Sequence, residues 1–211
     1  VKSLPSFKLF RNGKVVEEIH GMQPEADYRS IVDRHLVPLG DKVRLAAGRA
    51  WAQGDHARAV QVLAEGAMAE PENLDIPAML VKLLMRLERF DEAREVLLAL
   101  PPEARDTTEL ATLRAHLDFI TAALAVDDEP ALLARAAQSP PDLAAHFQVA
   151  ALHLLRDEYE AALQALIVVL RNDREFDEGA ARRGLLAIFE TLGGDHELVK
   201  RYRAELARLI H

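Results

Sequence analysis

The sequence has no cysteine and few aromatic residues, with Phe, Trp and Tyr together making up 5% of its 211 positions. The first absence excludes disulfide staples, thiolate zinc sites and a cysteine nucleophile, so thiol-disulfide exchange is beyond this chain. The second, set beside a hydrophobic content of 50% that is largely Ala and Leu, favours packed helices over sheets. Positive charge is also in deficit: 26 Lys and Arg against 34 Asp and Glu give a formal net charge of −8. A field of that sign repels phosphate backbones, which excludes nucleic acid as an expected partner. No apolar run approaches the roughly 20 residues of a membrane span. The stretch Val1-Lys2-Ser3-Leu4-Pro5 lacks the apolar segment of a signal peptide, so a soluble, cytoplasmic chain without a membrane partner is expected.

Catalytic constellations are missing too. The histidines at 20, 35, 56, 116, 146, 153, 196 and 211 form no His-x-x-x-His or His-Glu-x-x-His pair that would set two metal ligands on one helical turn. There is no glycine-rich phosphate loop and no nucleophile elbow. Asp127-Asp128-Glu129 reads as solvated loop or capping charge rather than an acid and base pair. No catalysis, metal or cofactor is expected of these residues.

What is present falls into two parts. Ser6-Phe7-Lys8-Leu9-Phe10 alternates apolar and polar side chains, Asn12-Gly13 supplies a turn, and Val15 to Ile19 forms a second short run, which predicts a β-hairpin. Gly21 ends it. Pro24-Glu25 then opens a helix to about Val37, with Tyr28, Ile31, Val32 and Leu36 at helical spacing. A hairpin and one helix bury too little to stand alone, so they read as the end of a sheet domain whose other strands lie upstream.

From Asp41 the chain repeats. Ala59 precedes Leu63 by four residues, and Ala93 and Leu97 restate the frame 34 positions later, the period of tetratricopeptide repeats. Ala162 and Leu166 restate it after a further 69 positions, about two periods. A degenerate unit, Glu109 to Pro141, fills the gap and is interrupted by Pro130. A small residue at the alanine position lets two helices approach while the leucines fill the seam. Gly193-Gly194 separates a final helix, from about Asp195 to Ile210, with Asp195 as its N-cap. The fold class expected is mainly α, a helical repeat array behind a hairpin and helix, with an irregular helical bundle as the alternative.

In that array the inner helices would turn Trp51, Met85, Phe147 and Leu154 toward a groove able to hold an extended or unfolded segment; the alternative for each is the core. The last helix carries Leu198, Val199, Tyr202, Leu206, Leu209 and Ile210 on an apolar stripe beside Lys200, Arg201, Arg203 and Arg208. It is either a cap of the array or a docking element.

Ser3-Leu4-Pro5-Ser6-Phe7-Lys8-Leu9-Phe10-Arg11-Asn12-Gly13-Lys14-Val15-Val16, with Gly21 and the helix behind it, resembles the closing hairpin of thioredoxins over residues 1 to 38. That resemblance implies a cis peptide bond at Pro5, the remnant of a site whose redox motif would lie upstream; an ordinary strand-opening proline is the other reading. Taken with the repeats at 41 to 211 and with Gly193-Gly194-Asp195-His196, Tyr202 to Leu206 and Leu209-Ile210, the whole chain resembles the YbbN-type thioredoxin-tetratricopeptide proteins called chaperedoxins. The resemblance implies a holdase for unfolded or oxidatively damaged proteins that passes them to the GroEL-type chaperonin. The chaperonin contact would fall on Tyr202, Arg203, Leu206, Leu209 and Ile210, and the hairpin's open edge could self-associate. Two other functions fit the same residues: a substrate-selecting domain of a thiol-disulfide oxidoreductase, and a plain assembly scaffold.

Overall fold

The computed structural model describes residues 5–11, 14–36 and 39–210. The alternating segment forms β1 (Ser6–Arg11), paired antiparallel with β2 (Lys14–His20) from Ser6↔His20 to Leu9↔Glu17. The register then shifts, so that Phe10 faces Val15 and one residue of β2 is left over as a bulge. Lys8 and Glu18, directly opposite, form an ion pair at 2.8 Å. The Asn12-Gly13 turn lies outside the described residues. Helix α1 (Glu25–Leu36) follows, and Phe7 meets Tyr28 edge-on at 5.3 Å. The Tyr28 hydroxyl accepts a hydrogen bond from the Gln23 amide at 3.1 Å, fixing the entry to the helix. Val37 is outside the described residues.

Among the described residues eleven more helices follow: α2 (Leu39–Ala52), α3 (His56–Ala69), α4 (Asp75–Arg86), α5 (Phe90–Ala99), α6 (Pro102–Arg105), α7 (Thr108–Leu124), α8 (Glu129–Ala136), α9 (Leu143–Leu155), α10 (Tyr159–Asn172), α11 (Phe176–Leu192) and α12 (Glu197–Ile210). The fold is mainly α with tetratricopeptide-like repeats behind a hairpin, as the 34-residue spacing predicts. Ala59, Ala93 and Ala162 are all 0% exposed, and Leu63, Leu97 and Leu166 are buried beside them. The turns repeat as faithfully as the packing. Gly54, Glu88 and Asp157, 34 and 69 positions apart, each adopt positive φ after the first helix of a pair. In each turn the next amide reaches back five residues at 2.9 Å: Asp55 to Ala50, Arg89 to Leu84, Glu158 to His153. The left-handed residue itself bonds three back, to Trp51, Met85 and Leu154, completing a Schellman closure in all three.

Two expectations need correction. Pro130 does not interrupt the third unit; it sits in the first turn of α8, where a missing amide costs nothing, behind Asp128, whose carboxylate accepts from the Ala131 amide at 3.0 Å. The final helix begins at Glu197 rather than Asp195, and the His196 imidazole Nδ1, 3.2 Å from the Leu198 amide, serves its first turn.

The chain divides into two compact units, residues 1–76 and 77–211. In the first, α2 packs on α3, burying Val43, Ala47 and Ala50 against Ala59, Leu63 and Gly66. In the second, α9 packs on α10 and against α7 and α8, while α10 also meets α11 and α12, around a core that includes Phe119, Leu163, Leu166, Leu185, Phe189 and Val199.

Candidate functional site

The side chains expected to line a groove have separate fates. Trp51, half-buried on α2, stacks on His56 at 4.2 Å between ring centres. Met85 is half-buried on α4. Phe147, at 6% exposure, lies in the core, nearly parallel to Phe119 at 5.3 Å and tilted against Phe176 at 6.0 Å. Burial between these two rings holds it in the core, where it also borders the second cleft described below. Leu154 remains partly exposed, on the wall of a cleft described below.

The terminal helix is likewise committed to its own core. Val199, Tyr202 and Leu206 are buried, the last two at 4% and 7% exposure, and Leu198 and Leu209 pack at the margin of the same cluster. Ion pairs from Arg171 to Glu205 and from Arg201 to Glu160 fasten α12 to α10, and Arg203 lies 5.8 Å over the Phe189 ring. Tyr202 and Leu206 therefore offer no apolar surface to a partner. Lys200, Arg203 and Arg208 remain exposed. The Ile210 side chain lies outside the described residues. So does the peptide bond preceding Pro5, since it begins at Leu4; the Pro5 carbonyl itself accepts from the Gly21 amide at 2.8 Å.

A cleft of about 250 Å³ opens between α7, α9 and α11, with Tyr159 at the start of α10 on its edge. Phe119 and Ile188 form its buried base, Ile120, Leu154 and Tyr159 its walls, and Leu155, 67% exposed, its lip. One helical turn beyond Ile120, Leu124 stands 65% exposed and extends the apolar surface. His116 borders the cleft; desolvation by the surrounding helices holds its imidazole below the usual value, with the Glu190 carboxylate opposing. Sequence periodicity missed this surface because it belongs to four helices, and Leu155 shares its spacing with core leucines.

A second cleft, of about 440 Å³, mixes polar and apolar lining, with Arg94, Thr121, Arg135 and Gln148 beside Phe147 and Phe176. Its cations are already engaged. Arg94 donates to Asp118 at 3.3 Å and to Thr121 at 3.0 Å, and Arg135 donates to Asp142 at 2.8 Å. Asp118 is the buried charged residue among those described, and Arg183 donates to its other oxygen at 3.1 Å. Burial pushes the Asp118 carboxyl above its ordinary value, opposed by Arg183, Arg114 and Arg94. Arg183 also donates to the carbonyls of Asp177 and Glu178, which with Gly179 form three consecutive left-handed residues at the start of α11. The sequence does not mark this turn, because only one of its three residues is glycine.

Among the described residues no group of three or more His, Asp or Glu converges as a metal site, and no helix is long and apolar enough to cross a membrane.

Two segments of the chain match models described as Tetratricopeptide repeat, over residues 50–117 and 122–211. No curated protein gives a match. Among solved structures, a domain of a protein of unknown function from Vibrio parahaemolyticus aligns with 81% of this chain and 99% of its own at 20% identity, with a TM-score of 0.35.

Proposed function

We propose that this chain, a tetratricopeptide-repeat protein by both matched segments, is a protein-binding module whose work is done by helix-pair surfaces and not by catalysis. The observation that carries this reading is the threefold recurrence of one helix-pair frame, alanine seam and Schellman turn alike, within segments that match that repeat. Such stacks bury a continuous core and leave extended surfaces whose use is to hold other chains.

The finer form of the proposal is the chaperedoxin one. Residues 1–38 would be the closing hairpin and helix of a thioredoxin-type domain and residues 41–211 the repeat array. The module would hold unfolding proteins and pass them to a GroEL-type chaperonin. The order of hairpin, repeats and terminal helix supports this. With Tyr202 and Leu206 committed internally, a chaperonin contact on α12 would use its exposed Lys200, Arg203 and Arg208. The test has two arms. Light scattering of a thermally unfolding client should fall when the chain is added. Purified chaperonin should bind the immobilised chain, and bind it more weakly when those three residues are changed to serine. No suppression of scattering removes the holdase reading; no chaperonin capture removes the delivery step. Deleting residues 198–211 is the wrong probe, because it would strip Val199, Tyr202 and Leu206 from the core.

A further inference from the structure

Helix α11 opens against its own hand. Asp177 (φ 45°, ψ 57°), Glu178 (φ 53°, ψ 36°) and Gly179 (φ 81°, ψ 27°) form one left-handed turn ahead of a right-handed helix. Left-handed residues usually occur singly and favour glycine, because Cβ crowds the following carbonyl oxygen, so Asp177 and Glu178 hold this shape against steric resistance. Such a segment persists only where its surroundings over-determine it. Three contacts do so here. Arg183 donates to the carbonyls of Asp177, at 3.2 Å, and of Glu178, while the same guanidinium holds Asp118 at 3.1 Å. Arg114 pairs with the Glu178 carboxylate at 2.6 Å. Phe176, at the head of the turn, rests against Phe147 with 6.0 Å between ring centres. The clamp itself is incomplete, since Arg183 Nε is buried without an acceptor.

Phe176 and Asp177 both line the second cleft, in which Phe147 is the buried ring. From Ala180 onward α11 is anchored, with Ala180, Ala181 and Leu185 buried in the core. Rewinding residues 177–179 into the right-handed form would change each φ by more than about 100°. With the helix beyond them fixed, that change falls on Phe176. We propose that residues 176–179 are a conformational latch on the second cleft. Clamped by Arg183, the turn is left-handed and Phe176 screens Phe147. Released, it rewinds as an added turn of α11, Phe176 leaves Phe147, and the Phe147 ring faces the cleft. The latch is a property of the fold and stands apart from what the repeat module binds.

The test is NMR of the full chain. Cα shifts and scalar couplings of residues 177–179 read the hand of the turn, and the Overhauser effect between Phe147 and Phe176 reads ring contact. A soluble paramagnetic agent reads access, by broadening Phe147 ring signals that meet solvent. The parent chain should show a left-handed turn, ring contact and a protected Phe147. Arg183→Lys keeps a cation near Asp118 but cannot bridge two carbonyls and a carboxyl group as the planar guanidinium does. Gly179→Ala leaves the clamp in place and penalises the left-handed backbone alone, because the nearest atom to the added carbon, an Arg183 nitrogen, is 4.0 Å away. Each variant should shift residues 177–179 to right-handed values, lose the ring contact and broaden Phe147. Asp177→Gly should act in the opposite sense, slowing exchange of the Gly179 amide, which donates to the Glu175 carbonyl at 3.3 Å, by about fivefold.

Left-handed shifts and intact ring contact in both Arg183→Lys and Gly179→Ala overturn the proposal, by making the turn rigid. Loss of protection along the whole of α11 also overturns it, because Arg183 then holds the helix and not a latch. Rewinding that leaves Phe147 protected overturns it as well, since the turn then governs nothing in the cleft.

Discussion

The pairs α2–α3 and α9–α10 share one frame and differ in how many faces they bury. Each sets an alanine at zero exposure in its second helix and closes its turn with a left-handed residue bonded back three positions, followed by a residue bonded back five. The α2–α3 pair buries three residues on each helix, whereas α9 and α10 bury five and seven. The frame therefore fixes how two helices approach, and neighbouring helices decide how much further apolar character the pair must carry. The buried residues of α10 include Ala165, Ile167 and Val169, and the helix packs on α11 and α12 as well as α9.

Truncating the equivalent seam leucines should break the comparison most sharply. Leu166→Ala should cost about 3 to 5 kcal/mol and Leu63→Ala about 2 to 3 kcal/mol, because a cavity walled by helices on several sides cannot collapse as a two-helix seam can. Denaturant unfolding of the two variants reads the difference. Equal losses would mean that the extra apolar faces around α10 add nothing to this seam.

Two glycines probe close approach in the same regions. A Cβ added at Gly184 on α11 would stand 2.5 Å from the Phe119 ring and 3.3 Å from a Leu166 methyl, both in the core. At Gly66 on α3 it would stand 2.6 Å from one Val43 methyl and 2.8 Å from the other, in the α2–α3 seam, which can part more readily than a core walled by several helices. Ala is the better helix former by about 1 kcal/mol, which offsets part of either clash. Gly184→Ala should destabilise by about 2 kcal/mol net and Gly66→Ala by less than about 1 kcal/mol. Thermal unfolding of both variants would reveal a reversed order if Val43 is the more rigid wall.

Much of this frame was legible from residue spacing. Ala59, Ala93 and Ala162 announced the seam because only a small side chain serves there, whatever else the repeat contains. The turns were half legible. Gly54 marks one in the sequence, whereas Glu88 and Asp157 adopt the same backbone with side chains that do not advertise it. Pro130 misled because a proline in the first turn and a proline that breaks a helix look alike until the N-cap, Asp128, is placed. The apolar stripe of α12 was read correctly as amphipathic, but periodicity cannot say whether its partner is another protein or α10. The cleft escaped because its residues come from helices far apart in sequence, and Phe147 because core and groove share one helical period.

The turns offer a test of the shared frame itself. Gly54 tolerates positive φ without a steric penalty, and Glu88 does not. Gly54→Glu should therefore destabilise by about 1 to 2 kcal/mol, and Glu88→Gly should stabilise by about 1 kcal/mol. Opposite shifts of the thermal midpoint would confirm that the two turns carry the same strain. A loss of stability in Glu88→Gly would mean that the Glu88 side chain contributes something its exposed position does not suggest.

The smallest effect concerns the buried charge near α9–α10, for which α2–α3 has no counterpart among the described residues. Burial raises the Asp118 carboxyl above its ordinary value, although Arg183, Arg114 and Arg94 all oppose. The folded chain thus holds this proton more tightly than the unfolded one does. The stabilising contribution of Asp118 is complete below the unfolded value of about 3.9 and is lost as pH rises through the raised folded value. Asp142 has the opposite sign. The Ala145 amide, then Arg135, lower its carboxyl, so its contribution is present above the unfolded value and lost as pH falls. A whole-chain pH profile mixes the two, and Asp118→Asn separates them. The hydrogen bonds that asparagine makes poorly to Arg183 and Arg94 shift stability by an amount independent of pH, whereas the titration of Asp118 appears only in the slope. Thermal midpoints of the chain and of Asp118→Asn, taken across the acid range, should converge or cross in favour of the variant as pH rises. A difference that instead grows in favour of the parent would mean that the three arginines outweigh burial, and that Asp118 stabilises the fold as a carboxylate.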